Sequence, residues 1–350
     1  MDVITSLAVM IVAIYLLAIV TDDFFIESLD QIAQRLKLSN DVAGASLMAM
    51  GSSAPELAIA ILALFNHGGE HSDLGIGTIM GSAVFNILII AGASAVAQPA
   101  NITWRVVTRD VTMYIASIAA LLATFSDGTI NILEAFLFIV LYAVYIVTLM
   151  NWEAFEPGEA EDVVELMHPK REGDPSMIQR LNAGIGRIIG LFAGHPKENY
   201  IRTFTVSILL IAALSYVLVE YALIFSAALG IPPVIVALTI LAAGTSVPDL
   251  IASIIVARQG RGEMAVANAV GSNIFDILIG LGVPWILGIA INGGEIHVGT
   301  ADLWMSAIIL FTTVIVLFLF LATQRRLDRW EGWFLISGYG VFVLYTILTG

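Results

Sequence analysis

The chain is 350 residues long, with 59% hydrophobic residues, 13% charged residues and a mean hydropathy of +0.92, a balance that excludes an ordinary soluble domain. The formal net charge is −14, so no nucleic-acid partner is expected, and the absence of cysteine excludes disulfides and thiolate metal sites.

A membrane-spanning helix needs roughly 20 apolar residues. Windows of that length fall near 3–21, 42–66, 76–98, 108–125, 130–150, 201–228, 233–257, 265–290, 301–323 and 331–349. The expected fold is therefore an all-α polytopic membrane protein with ten transmembrane helices. Span 1 has neither a positive leading region nor a small-residue cleavage site, so it is read as retained. Asp22 and Asp23 at its inner end are read as capping or solvated acids.

Span 2 carries Gly51-Ser52-Ser53-Ala54-Pro55-Glu56. The outer loop that follows holds His67, Glu70, His71 and Asp73, for which solvation is favoured over metal binding. Span 3 carries Gly81-Ser82-Ala83-Val84-Phe85-Asn86-Ile87-Leu88. Asp110 and Glu134 open spans 4 and 5, where acids suit a helix N-terminus. Between spans 5 and 6 lies the one sizeable polar stretch, 152–200. Its first half is acidic (Glu153, Glu156, Glu159, Glu161, Asp162, Glu165) and reads as a charged linker rather than a regulatory calcium site. Within it, Met177 to Phe192 places apolar residues at helical spacing alongside Arg180 and Arg187, as in an amphipathic helix lying on the inner membrane surface. Glu220, late in span 6, is placed near the outer interface. Span 7 carries Gly244-Thr245-Ser246-Val247-Pro248-Asp249, and span 8 carries Gly271-Ser272-Asn273-Ile274-Phe275-Asp276-Ile277-Leu278. All five histidines fall in loops, so no histidine proton relay crosses the membrane.

Orientation follows from the basic residues. With both termini outside, the inner loops and their flanks hold all 15 Lys and Arg, while the outer loops hold none. The stretch 152–200 is then cytoplasmic. The motif pair recurs from 51 to 244 and from 81 to 271, offsets of 193 and 190 residues. Five spans separate the copies, and an odd number reverses direction. The halves, 1–151 and 201–350, are therefore expected to be inverted five-helix repeats with broken helices 2 and 7, an arrangement suited to alternating access.

The chemistry points to cations. Pro55 and Pro248 lack an N–H and clash one turn back, freeing backbone oxygens around Gly51 and Gly244. Such a break is tolerable at membrane depth only inside protein or a hydrated cavity. It presents the carbonyls of Ala49 and Ala242 and the hydroxyls of Ser52, Ser53, Thr245 and Ser246, hard oxygen ligands of the kind calcium prefers. Ser82 and Asn86, and likewise Ser272 and Asp276, are four residues apart and share a helix face. Glu56, Asp249 and Asp276 have no Lys or Arg within the spans, so they must take up protons or bind cations. A site that is stable when filled by either of two ions favours antiport over a channel, and no catalytic residues or enzymatic activity are expected.

The paired motifs resemble the α-repeats of the cation/calcium exchanger superfamily, specifically sodium/calcium exchangers, over nearly the whole chain. Val256-Ala257-Arg258-Gln259-Gly260 and the run from Gly271 to Trp285 look closest to the potassium-dependent branch. The resemblance implies that Glu56 and Asp249 ligate calcium from opposite halves, completed by Ser52 and Thr245. Sodium sites would use Ser53, Ser246, Ser82, Ser272, Ala49 and Ala242, with Asn86 and Asp276 at the centre. It implies a plasma-membrane location, with calcium, sodium and membrane lipid as partners, no cofactor and no obligatory protein partner. Two departures bear on potassium: Asp249 stands where potassium-independent exchangers carry Glu, and Asp276 replaces Asn. Potassium co-transport is therefore left open. A calcium/proton exchanger of the same fold is the alternative, although that branch carries different residues around its acid. An intramembrane aspartyl protease would also need two facing acids, but its Tyr-Asp and Gly-x-Gly-Asp motifs are missing.

Overall fold

The computed structural model describes residues 3–36, 49–65, 72–101, 107–155, 177–297, 301–324 and 326–349. The histidine-rich outer loop (His67, Glu70, His71) and the acidic segment from Glu156 to Glu165 lie outside the described residues.

In chain order the helices are α1 (Val3–Leu36), α2 (Ala49–Ser52 followed by Ala54–Phe65), α3 (Ser72–Ala97), α4 (Thr112–Thr124, entered through a π-turn at Val107–Val111) and α5 (Ile132–Phe155). Then come α6 (Met177–Ala193), α7 (Tyr200–Leu229), α8 (Pro233–Arg258), α9 (Gly262–Leu278 and Gly282–Asn292), α10 (Ala301–Gln324) and α11 (Arg329–Thr349). Among the described residues eight helices are long and apolar enough to cross a membrane, so this is an integral membrane protein. The other two expected spans correspond to α2, whose second piece is apolar but short, and to α4.

Four two-residue strands tie the ends together: β1 (Ala100–Asn101), β2 (Thr129–Ile130), β3 (Ile296–His297) and β4 (Arg326–Leu327). β1 pairs antiparallel with β4, and β2 with β3. β1 follows α3 and β3 follows α9, while β2 and β4 each precede the last helix of a half. Each pairing thus joins one half to the other, and an inversion exchanges the two pairs. The starts of α5 and α11 match as well. Asn131 Oδ1 accepts from the N–H of Leu133 and Glu134 at 2.9 and 3.1 Å, and Glu134 Oε2 accepts from Asn131 N–H at 2.9 Å. At α11, Glu331 Oε2 accepts from Asp328 N–H at 2.8 Å. These are capping-box contacts, which satisfy donors a helix start leaves orphaned. Glu134 therefore acts as its position at the span start suggests. Asp110 also sits in the first turn opening its span, and there it is buried, held by Arg109 at 2.6 Å and accepting from Tyr145 Oη at 3.3 Å.

Lipid tails are as apolar as Leu, so helix association in a bilayer rests on close packing and polar contacts rather than on a hydrophobic drive. The packing follows that logic. A Cβ on Gly81 would sit 2.4 Å from the Leu238 carbonyl oxygen, so only glycine lets α3 cross α8 this closely. Gly92 and Gly332 play the same part between α3 and α11, each nearly touching the other's carbonyl oxygen. Gly244 admits Ile14 of α1, and Gly51 admits Ile26. Gly271 has nothing nearer than 4.0 Å to its absent Cβ, so the two Gly-Ser motifs use their glycines differently. One apolar cluster joins α3, α4, α5, α9, α10 and α11 around Tyr114, Phe138 and Trp285; another joins α1, α2, α7 and the start of α8. The amphipathic helix α6 packs Ile185 and Ile189 against Ile19 and Phe24 of α1, and Tyr15 donates to Asn182. Its outer face exposes Leu181, Ile188, Leu191 and Phe192.

Candidate cation-binding site

The two proline motifs differ in how far they depart from a helix. In α2 the pieces are separated by Ser53 alone, and helical bonds run across it from Ser53 N–H to Ala49 O (3.1 Å) and from Leu57 N–H to Ser53 O (3.0 Å). In α8 the expected break is not an interruption: Ala242–Arg258 is continuous through Pro248. The irregularity there lies one turn earlier, in a π-turn at Ala237–Leu241. A π-turn absorbs one extra residue per turn and recurs at functional sites. A second one, Asn86–Ala91, begins at the polar residue of the α3 motif. By lacking an N–H, Pro55 and Pro248 leave the carbonyls of Gly51 and Gly244 without their helical donors. The Ala49 carbonyl is not orphaned, since it accepts from Ser53 N–H and, at 3.3 Å, from Ser52 Oγ. Ala242 O accepts from Thr245 Oγ1 at 3.3 Å.

α2 and α8 pack against both α3 and α9, bringing the four motifs into one buried zone. Ser53 Oγ lies 3.0 Å from Ser272 Oγ, and Ser82 Oγ lies 2.9 Å from Ser246 Oγ. Ser53 and Ser246 occupy the same place in their motifs, as do Ser82 and Ser272. The two hydroxyl pairs are thus one contact repeated by the inversion. Each joins a proline helix of one half to the following helix of the other half, a pairing the spacing did not disclose.

Glu56 is 3% exposed, and the hydroxyls of Thr245 and Ser82 lie against its carboxylate while Oε2 has no partner. Asp276 is 1% exposed, with Ser53 against it and Oδ1 unpartnered. Asp249 lies within electrostatic reach of both acids and is half-buried, on the rim of a crevice. Asn86 donates through Nδ2 to Asn273 Oδ1 at 2.8 Å, leaving its own Oδ1 without a partner. A buried polar atom without a partner costs about 1–3 kcal/mol, so three oxygens left this way in one zone make it the candidate place for a positive charge. Among the described residues no three acidic or histidine side chains close up on one point, so hydroxyl, amide and backbone oxygens must complete any coordination shell.

Two contributors were not foreseen. Asn273 holds Asn86 while donating to Ala83 O at 2.9 Å and sitting 2.7 Å from Tyr114 Oη. The signal for it was present in the aligned motifs, where Asn273 stands opposite Ala83. Asp22, read as a capping or solvated acid, lines the crevice with Ser52, Thr245 and Asp249.

Acid-bearing proline helices from two inverted halves, sharing an oxygen-lined zone that holds no Lys or Arg among the described residues, define a membrane cation-transport protein. The chain belongs to the sodium/calcium exchanger protein family, whose model matches residues 6–151 and 199–348. It is 31% identical to human sodium/potassium/calcium exchanger 5 over 404 residues, covering 95% of this chain and 79% of that protein. It is 29% identical to human sodium/potassium/calcium exchanger 4, with the same coverage of each chain. Among solved structures it resembles the sodium-calcium exchanger NCX_Mj soaked with sodium and strontium, at a TM-score of 0.60 and 22% identity, over 98% of each chain. That likeness speaks to the fold.

Proposed function

We propose that the protein is a secondary antiporter that exchanges sodium for calcium by alternating access, through one site shared by its two inverted halves. The observation that carries this reading is the pair of matched acids, Glu56 on α2 and Asp249 on α8, set among cross-half serine pairs with no basic residue beside them among the described residues. Glu56 and Asp249 ligate calcium, with oxygens from Ser52 and Thr245. The hydroxyl pairs Ser53–Ser272 and Ser82–Ser246, with backbone oxygens near Ala49 and Ala242, serve sodium on either side. Asn86 and Asp276 sit at the centre, where Asp276 adds a charge that its counterpart Asn86 lacks. Because binding of either ion neutralises the same acids, the two compete, and competition at one alternating site is exchange. On this reading ten crossings of the plasma membrane put both termini on one side, and the 15 Lys and Arg of the inner loops support that side being the outside, with 152–200 in the cytoplasm. The partners are calcium, sodium and lipid.

The test uses sodium-loaded vesicles diluted into sodium-free buffer containing radioactive calcium, with and without external potassium, and a parallel set driven by a proton gradient. Calcium uptake that needs internal sodium supports the reading. Uptake driven by protons with sodium irrelevant replaces it with calcium/proton exchange. Stimulation by potassium that weakens in Asp276→Asn assigns potassium to that carboxylate, while undiminished stimulation removes it from there.

A further inference from the structure

The crevice beside Asp249 has one wall that the motifs do not supply. Ile14, Leu17, Ala18, Thr21 and Asp22 of α1 line it at helical spacing, facing Ser52 and Pro55 of α2 and Thr245, Pro248 and Asp249 of α8. The opposite wall obeys the inversion, since Ser52 matches Thr245 and Pro55 matches Pro248. The α1 wall does not, and its last two residues are polar. They begin a π-turn, Thr21–Ile26, that widens α1 at this level.

Thr21 supplies an independent observation. It is 4% exposed, lines the crevice, and its hydroxyl has no hydrogen-bond partner. A threonine in a membrane helix ordinarily bonds the carbonyl one turn back, as Thr78 does at 2.9 Å, Thr239 at 2.6 Å and Thr245 at 3.1 Å. Asp22 is half-buried next to it and interacts electrostatically with Asp249. Among the described residues the crevice lining contains no Lys or Arg, and the space within is about 10 Å³, room for about one water-sized particle.

We propose that Thr21 and Asp22 form a further cation position that extends the Asp249 side of the site into the crevice. The oxygens available are the carboxylates of Asp22 and Asp249 and the hydroxyls of Thr21, Ser52 and Thr245. This set takes a hard alkali or alkaline-earth cation stripped of most of its water. The ion held there is the one about to reach, or just leaving, the Glu56–Asp249 pair, so α1 contributes a charge to ion capture that the repeated motifs lack. The inference rests on the exchange reading for the identity of the ions, but not for the existence of the position.

Equilibrium binding of radioactive calcium and, separately, sodium to the purified full chain tests it, alongside exchange in vesicles. Asp22→Asn is nearly isosteric and is expected to raise the half-saturating concentration of at least one of the two ions about tenfold, with recovery in Asp22→Glu. Thr21→Val, which keeps the shape and removes only the hydroxyl, is expected to raise it about threefold. Asp23→Asn, the same charge change on the exposed neighbour, serves as the control and stays within about twofold of the parent. The proposal is overturned if Asp22→Asn and Thr21→Val both bind as the parent does, or if Asp23→Asn shifts binding as much as Asp22→Asn. Should the parent bind calcium yet fail to exchange it for sodium, the exchange reading falls while the binding comparison still decides this position.

Discussion

Asn273 is fully buried and makes three contacts at once, to Asn86, to the Ala83 carbonyl and to Tyr114. By accepting from Asn86 Nδ2 it holds the Asn86 amide in one orientation, the one in which Asn86 Oδ1 is the unpartnered atom. Asn273→Leu leaves Asn86 Nδ2, the Ala83 carbonyl and the Tyr114 hydroxyl without this partner. It is expected to lower stability by about 1–3 kcal/mol. Because the same change frees Asn86 to rotate, calcium affinity should fall even where the protein still folds. A thermal-shift series at several calcium concentrations separates the two effects. An unchanged calcium-dependent shift in Asn273→Leu contradicts the positioning role. Most of the residues that the structure brings together in the candidate site were legible at this scale, because a carboxylate or hydroxyl beside a proline inside an apolar window is conspicuous. Asn273 and Asp22 were not. Asn273 stands inside a motif opposite Ala83 with nothing in its spacing to show its partners, and Asp22 stands at an expected helix end, where an acid caps or is solvated unless another helix packs against it.

Among the helices, the two Gly-Ser motifs look alike in sequence and behave differently in packing. Gly81 lies against the backbone of α8, whereas a Cβ on Gly271 would meet only the Tyr145 hydroxyl, at an ordinary 4.0 Å. Gly81→Ala forces Cβ into the Leu238 carbonyl, which backbone cannot easily yield, and should cost about 1–3 kcal/mol. Gly271→Ala should be tolerated and, in a helix interior, should gain up to about 1 kcal/mol from propensity. Comparing melting temperatures of the two variants in one detergent checks this, and equal losses would contradict the packing described. The long apolar helices were readable because a bilayer demands their length. The form of the irregularities was not: proline marks a weak point in a helix, but whether the chain answers with a one-residue opening at Ser53 or a π-turn at Ala237–Leu241 depends on the neighbouring helix. The glycine contact between Gly92 and Gly332 was likewise hidden, since close approach is a property of two helices and not of either alone.

For the molecule as a whole, the inversion is visible in matched serine pairs, matched capping boxes and two strand pairings that exchange with one another. Such symmetry gives two equivalent ways to open one site, toward either face of the membrane. Charge couples that site to pH. In the proposed site the ionised carboxylates of Glu56, Asp249 and Asp276 attract the cation, and a proton on any of them would remove that charge. Calcium affinity should therefore fall as the solution is taken from about pH 8 to about pH 6. Raising calcium should restore the rate, as expected for competition. A rate that stays flat across this range at subsaturating calcium would show that protons do not reach these acids.

The most direct measurement is calcium uptake into sodium-loaded vesicles by the parent protein, by Glu56→Gln and by Asp249→Asn, each confirmed as folded by its elution as a single species. Sodium-dependent uptake in the parent, with a loss of more than about a hundredfold in each variant, is the expected result, since each removes one of the two matched charges. Uptake near the parent's rate in either variant would contradict a shared site built on those two acids.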